Sequence, residues 1–374
     1  MTLGDDWNST EFLEGYYERR PWLARGACAV RYGWEQVNRG LFGWDPSDGR
    51  LRLFNGEFLP VDVFVELVEE LGSRRFRIMK DRLREHMANG ATLVMNRLEL
   101  KCPDIAEINF RVASFLSEQT VSNGYACFGG TGAFGRHWDT HDVFAVQLIG
   151  QKLWRVFEPT LELPLPEQRS KERKDECPTQ HALEVLLKPG DVLYVPRGWW
   201  HATETPPGEE SFHIAVGVHP PRVKDYASWL CEHVMGDHLA SRRSLQWQDR
   251  EADCKANEFL AAFSEEVSQP ANLRRFQEFR ADSVRQETAF LIEKWNSDLG
   301  APLQEVLEIN SPFRQDPTSS PVIANGVKLA MDERARHSLS ATLKGRQSVL
   351  DSEGRRFINE LSLRDILRPK RMGS

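Results

Sequence analysis

The chain has no Cys-x-x-Cys pair: Cys28, Cys102, Cys127, Cys177, Cys231 and Cys254 lie scattered through 374 residues. That spacing argues against a zinc ribbon and against a dense disulfide framework. Nor does any apolar run approach the roughly 18 residues of a membrane span. The opening Met1-Thr2-Leu3-Gly4-Asp5-Asp6 is acidic and lacks the apolar stretch of a secretory signal. The expectation is a cytoplasmic chain in a reducing compartment, with no membrane partner. An excess of positive charge is missing as well, with 48 Lys and Arg against 55 Asp and Glu, a net charge of -7. No direct nucleic-acid partner is expected from that balance. Repeats and long low-complexity segments are lacking. The Gly-rich stretch Phe128 to Gly135 does not end in Gly-Lys-Ser/Thr, so it is no phosphate loop. It reads either as a flexible lip over a site or as a structural loop.

What is present is bulk for a core, including 20 Phe and 11 Trp. Up to about residue 120 the texture is mixed. Val61 to Leu71, Phe76 to Met87 and Ile105 to Leu116 carry apolar residues at helical spacing, and Ala91 to Leu98 suits a strand. From about 121 to 220, short apolar runs alternate with Gly, Pro and Asp, the pattern of a compact β unit. Val143 to Leu148 and Leu153 to Phe157 flank Ile149-Gly150-Gln151-Lys152 as a hairpin would. Lys188-Pro189-Gly190-Asp191 reads as a turn before the strand Val192 to Val195, and Ser211 to Val218 as the next strand. After Pro221 the helical period returns over Val223 to Val234, Ala256 to Val267 and Leu273 to Trp295. Asn310 to Pro321 reads as a linker, and the basic tail Arg368 to Arg371 as solvated and frayed.

The segment that carries chemistry is Gly135-Arg136-His137-Trp138-Asp139-Thr140. Side chains two apart on a strand share a face, so His137 and Asp139 can converge on one ion. An His-x-Asp pair alone is a common chance match. Here it opens the β-rich block, and His201 follows a Pro-Gly-Asp turn, a strand and a short loop. That is the order in which a double-stranded β-helix returns a third ligand to the same mouth. Two imidazoles and one carboxylate on one face of an octahedron leave room for a bidentate 2-oxo acid and dioxygen, the logic of a facial-triad Fe(II) oxygenase. A structural zinc site would be closed by four protein ligands.

A 2-oxo dicarboxylate also needs a cation for its distal end, because a buried unpaired charge costs several kcal/mol. Lys152 either points into the barrel for that purpose or stands solvated in its turn. Asn123 and Tyr125, two apart on the incoming strand, either hydrogen-bond the same carboxylate or merely start the strand. His213 reads as a satisfied core histidine, with the pocket wall as the alternative. Arg197 reads as a surface arginine, with a substrate contact at the mouth as the alternative.

The stretch His137-Trp138-Asp139-Thr140-His141-Asp142-Val143-Phe144 through Lys152-Leu153-Trp154-Arg155 resembles the core motif of the cupin-4 branch of JmjC proteins, and so does Lys188-Pro189-Gly190-Asp191 through Trp199-Trp200-His201. That branch includes the ribosomal oxygenases, which hydroxylate ribosomal-protein side chains. The likeness is specific over about 120 to 220, fainter near Arg20-Pro21-Trp22-Leu23 and weak beyond 221. It implies His137, Asp139 and His201 as iron ligands and catalytic centre, with Lys152 on the 2-oxoglutarate C5 carboxylate. Asn123 and Tyr125 match further co-substrate positions. It also implies a helical dimerisation region after the barrel and a winged-helix-like C-terminal module. Arg136 departs from the pattern, standing where a Pro commonly precedes the first ligand.

The expected fold is α+β: a double-stranded β-helix core with N-terminal mixed α/β additions and a C-terminal helical region. The expected division is a catalytic domain over 1–220 (barrel about 120–220), a helical region over 221–300 that makes a homodimer, and a small module over 301–374. The expected activity is Fe(II)- and 2-oxoglutarate-dependent hydroxylation of a protein or peptide side chain, with N-demethylation where an N-methyl group is the target. Hydroxylation of a small peptide or amino-acid-derived metabolite is the second reading, and a non-catalytic binding protein the third.

Overall fold

The computed structural model describes residues 9–29, 31–131, 134–286, 288, 306–313, 315 and 321–370. They fall into two units, Met1–His219 and Pro220–Lys370. The first runs α1 (Ser9–Gly15), β1 (Trp22–Ala24), α2 (Trp34–Leu41), β2 (Leu51–Phe54), β3 (Val65–Glu70), β4 (Ser73–Ile78), α3 (Lys80–Ala88), β5 (Thr92–Met95) and α4 (Pro103–Leu116). It continues with β6 (Thr120–Thr131), β7 (Asp142–Gly150), β8 (Lys152–Phe157), β9 (Leu183–Leu187), β10 (Val192–Val195) and β11 (Trp200–Val218).

The main sheet has the order β1-β10-β7-β11-β6-β5-β2, every pair antiparallel. β11 organises it. Its 19 residues pair with β8 over Trp200 to Glu204 and with β6 and β7 over Ser211 to Val218. β9 then extends the second face beyond β8. One strand thus belongs to both faces of the barrel.

Alternation decides which side chains see which side. Phe144 and Val146 of β7, Val192 and Tyr194 of β10, and Ile214 and Val216 of β11 pack with Phe12 of α1 and Ile105 and Ile108 of α4. The opposite set, Ala145 of β7 and Leu193 of β10, packs with Trp154 and Val156 of β8 in a second core between the faces. β7 therefore shows no polar-out pattern and is buried from Asp142 to Ile149, because both of its sides are covered. Its partners on β11 that point inward are Ser211, His213 and Ala215, and on β6 they are Asn123, Tyr125 and Cys127.

Several sequence expectations need correction. Val61 to Leu71 is not a helix: after a short 3-10 turn it enters β3, which pairs with β4 through a turn in which Leu71 and Gly72 both have positive φ. Phe76 lies on β4, and the helix begins only at Lys80. Two-residue turns with both φ values positive match the twist of a hairpin. Cross-strand ion pairs Arg77–Glu66 and Arg75–Glu70 add to it. The expected hairpin of β7 with β8 does not form either, since β8 pairs with β9 and β11. Gly150, at φ 62°, instead turns the chain from one face to the other. A Cβ there would lie 1.7 Å from the Glu210 carbonyl oxygen, so only glycine fits. The helix at 105–116, the strand at 91–98 and the strand after Asp191 appear as expected.

The second unit contains α5 (Val223–His233), α6 (Leu239–Arg242), α7 (Ala252–Val267) and α8 (Pro270–Ser283), then β12 (Leu307–Ile309), β13 (Val322–Ala324), β14 (Val327–Leu329), α9 (Glu333–Leu343), α10 (Ser352–Leu363) and β15 (Leu367–Pro369). Trp229, Leu230, Val234 and Phe276 form one core, and Leu307, Val322, Leu339, Ile358 and Leu367 belong to another. The expected helix 273–295 ends at Ser283, with Val284 as its C-cap, and residues 284–286 and 288 are not helical. Residues 287 and 289–295 and the tail residue Arg371 lie outside the described residues, as does much of the expected linker. Arg368 is not a frayed surface charge: it sits in β15, paired with β12, 3.5 Å from Glu308.

Candidate metal centre

His137 and His201 are joined by backbone before their side chains meet. The His201 N–H donates to the His137 carbonyl (2.7 Å) and the His137 N–H to that of His201 (3.1 Å), an isolated antiparallel bridge. Gly198 N–H donates to the Asp139 carbonyl (3.0 Å), tying the loop before His201 to the same segment. Three potential ligand atoms, one each from His137, Asp139 and His201, therefore lie within 4.8 Å of one another. The two imidazole centroids are 4.3 Å apart, and His201 Nε2 is 3.5 Å from Asp139 Oδ2.

The second nitrogen of each imidazole is tied down. His137 Nδ1 lies 3.2 Å from the Gly135 carbonyl and His201 Nδ1 3.2 Å from that of Trp199. A carbonyl accepts only from N–H, so each Nδ1 carries a proton, which leaves Nε2 as the nitrogen through which the neutral ring would bind a metal. Burial, reinforced by His137, pushes the His201 pKa down to about 4, which keeps this imidazole neutral at pH 7. Burial would raise the Asp139 pKa, but the imidazoles of His141, His137 and His201 outweigh it and hold the carboxyl below its usual range. Neutral imidazoles and an ionised carboxylate are the forms in which these groups bind a cation.

Around the triad the rings close a circuit. From His201 it passes to Trp154 (5.7 Å), His213 (5.7 Å), Tyr125 (4.9 Å), Phe134 (5.9 Å), His137 (5.9 Å) and back to His201. Lys152 lies at the His213 end. It is 3% exposed, its Nζ donating to Cys127 Sγ at 3.1 Å. No carboxylate pairs with it among the described residues. Thr205 Oγ1 lies 2.9 Å from the same sulfur, and Gln147 Nε2 donates to Ser211 Oγ at 3.0 Å while its Oε1 has no partner.

His213 is not a satisfied core histidine: it is 4% exposed, and its Nδ1 is without a partner. Burial and the nearby Lys152 charge lower its pKa well below 6.5. Tyr125 stacks on His213 at 10°, and burial, then Asp139, raise its phenol's pKa. Asn123 is already engaged, its Oδ1 accepting from the Arg97 N–H (3.1 Å). Arg197 is not a surface residue. It is 7% exposed and bonds Asp142 (2.9 Å) and Glu18 (2.6 Å), while the Tyr194 hydroxyl donates to the same Asp142 carboxylate. The four groups lock β1's approach, β7 and β10 together.

Sequence reasoning missed Trp154, Cys127 and Thr205, and reached Phe134 only as part of a stretch read as a lip or a structural loop. For two of them a signal existed. Trp154 is two residues from Lys152 on β8, whose burial alternates at first, and Cys127 is two from Tyr125 on β6. Period two places each on the same side as its neighbour.

With this geometry in hand, comparison with known proteins is informative. Residues 93–226 match the JmjC domain family. The chain is 28% identical over 252 residues to the bifunctional lysine-specific demethylase and histidyl-hydroxylase NO66 of Culex quinquefasciatus, covering 65% of this chain and 38% of that protein. It is 33% identical over 130 residues to ribosomal oxygenase 2 of Mus musculus, covering 34% and 27%. The chain thus spans well under half the length of these curated relatives. Among solved structures, Escherichia coli ribosomal oxygenase YcfD aligns over 97% of this chain and 98% of its own, with a TM-score of 0.58 at 16% identity. A second structure of that protein, in complex with cobalt and 2-oxoglutarate, gives 0.57 at 17%. The fold is the JmjC cupin-like one, a double-stranded β-helix with helical additions, as the strand order described above requires. Over residues 93–226 the chain is similar to the JmjC domain family.

Proposed function

We propose that the chain is an Fe(II)- and 2-oxoglutarate-dependent oxygenase that hydroxylates a side chain of a protein or peptide. The observation that carries this reading is a set of two imidazoles and one carboxylate within 4.8 Å, beside a buried ammonium that no described carboxylate neutralises. The donor set fits iron, being two nitrogens and one oxygen on one side with positions left open. The ammonium fits the distal carboxylate of the co-substrate. When bound, iron and 2-oxoglutarate supply the activation of dioxygen, the 2-oxo acid leaving as succinate and carbon dioxide.

In this reading His137 Nε2, Asp139 and His201 Nε2 hold the metal, and the Gly135 and Trp199 carbonyls fix the two rings. Lys152 receives the C5 carboxylate, with the Tyr125 hydroxyl as a second donor. Asn123 acts less directly, by tying the Arg97 backbone to β6. Trp154, Phe134 and Tyr125 exclude water from the cleft between metal and ammonium, which strengthens every charge interaction there. The names of the relatives favour a ribosomal-protein-like substrate. The second unit serves dimerisation through α5–α8, and its C-terminal part is a winged-helix-like module. No helix among the described residues is long and apolar enough to cross a membrane, and the reading places the protein in the cytoplasm.

The test is succinate release from the full chain with Fe(II), 2-oxoglutarate, dioxygen and ribosomal proteins, with mass spectrometry of the proteins for one added oxygen atom. Metal- and 2-oxoglutarate-dependent succinate with an oxygenated residue is expected. Succinate and oxygenation only with small peptides or amino-acid derivatives would move the substrate to the metabolite class. No succinate under any of these conditions would leave a non-catalytic binding protein.

A further inference from the structure

We propose that Cys127 and Lys152 form an oxidative modification site, in which one oxygen atom joins the thiol sulfur to the amine nitrogen and shuts the co-substrate pocket. The geometry is that of two reactive groups held together in a dry place. Both side chains are 3% exposed, and Sγ and Nζ are 3.1 Å apart. Cys127 is fixed on β6 opposite Ser211, and Lys152 opens β8. Nζ reaches across the barrel to a thiol, although a buried ammonium is ordinarily met by a carboxylate. None of the six cysteines forms a disulfide, and no other cysteine is recorded beside Cys127, so disulfide formation does not compete within the pocket.

The step balances with dioxygen as oxidant. The S–H bond and two N–H bonds break, S–O and O–N bonds form, and the second oxygen atom leaves as water with one proton released. Sulfur and nitrogen each lose two electrons, and dioxygen takes up all four. The product nitrogen carries an oxygen substituent and is no longer an ammonium. The consequence rests on the oxygenase reading: a pocket without its cation leaves the 2-oxoglutarate C5 carboxylate unpaired. A dioxygen-consuming enzyme short of substrate would thereby be switched off by dioxygen, and reductant would restore it.

The experiment uses the full chain purified without oxygen in dithiothreitol, then held in air-saturated buffer with and without Fe(II), digested and analysed by mass spectrometry. The expected product is a single species containing the Cys127 and Lys152 peptides, heavier than their sum by one oxygen less two hydrogens, about 14 Da. Dithiothreitol should return the separate peptides. Affinity for 2-oxoglutarate, measured by calorimetry with Mn(II) in place of Fe(II), should fall at least about ten-fold on oxidation and recover on reduction. In Cys127→Ser and Cys127→Ala, affinity before and after air exposure should be equal. Recovery of Cys127 as a free thiol or a sulfinic acid with Lys152 unmodified overturns the proposal, as does unchanged affinity in a bridged wild-type chain. The mass is read without turnover. A bridge in a chain whose reduced form binds no 2-oxoglutarate would therefore refute the oxygenase reading and the switch, while showing the modification itself.

Discussion

Replacing Lys152 with Met separates a binding lysine from a structural one, because the two roles predict opposite signs. The side chain is 3% exposed and meets a thiol rather than a carboxylate. If Lys152 exists to receive an anion, the ligand-free protein holds an ammonium whose desolvation no carboxylate among the described residues offsets. Met is close in length and needs no partner, so the apo protein should gain about 1 kcal/mol or more, the direction seen when buried charges are replaced by apolar groups. The co-substrate should suffer the reverse. Truncating one partner of a buried hydrogen-bonded charge pair costs about 2–5 kcal/mol, which corresponds to roughly 30- to 5,000-fold weaker 2-oxoglutarate binding. Thermal unfolding of the apo chain measures the first, and the 2-oxoglutarate dependence of succinate release or calorimetric titration measures the second. A lower Tm together with an unchanged KM would refute the assignment and make Lys152 a structural residue.

Three further outcomes are expected. Asp139→Asn should abolish Mn(II) binding measured by calorimetry while shifting the apo Tm little, since Asp139 is partly exposed and, among the described residues, no Lys or Arg pairs with its carboxylate; retained metal affinity would remove it from the ligand set. His213 has a folded pKa well below its unfolded value of 6.5, so the unfolded chain binds the extra proton and stability falls as pH drops below about 6.5. His213→Leu should flatten that part of the Tm–pH curve, and an unchanged slope would contradict it. Asp142→Asn leaves Arg197 buried beside a half-empty pair and should cost about 3–5 kcal/mol in denaturant unfolding; a loss under 1 kcal/mol would show the cluster to be dispensable.

The clustering of His137, Asp139 and His201 was legible because these residues obey local rules. His137 and Asp139 are two apart, and His201 follows a Pro-Gly turn and a strand that the sequence marks clearly. The strand after Asp191 and α4 were legible for the same reason, since Pro189-Gly190 and Pro103 announce them. The β3–β4 hairpin was not. Val61, Phe64, Val65 and Val68 satisfy a helical spacing as well as a strand, and the positive φ of Leu71 that decides the matter is unusual for leucine. The crossing at Gly150 was hidden by length: a one-residue connection between two apolar runs looks like a hairpin unless one knows that β11 runs past both. The ring circuit is a product of tertiary structure. Phe134, Trp154 and His213 come from a loop and two strands, and no spacing in the sequence relates them. Arg197 looked like a surface residue because its partners, Asp142 and Glu18, are contributed from far along the chain.

The central claim is that three side chains hold one metal ion, and anomalous diffraction from crystals grown with Mn(II) and 2-oxoglutarate tests it most directly. The account predicts one strong peak bounded by His137 Nε2, the Asp139 carboxylate and His201 Nε2, with the C5 carboxylate of 2-oxoglutarate against Lys152 Nζ. A metal peak elsewhere, or one that excludes any of the three, would contradict it.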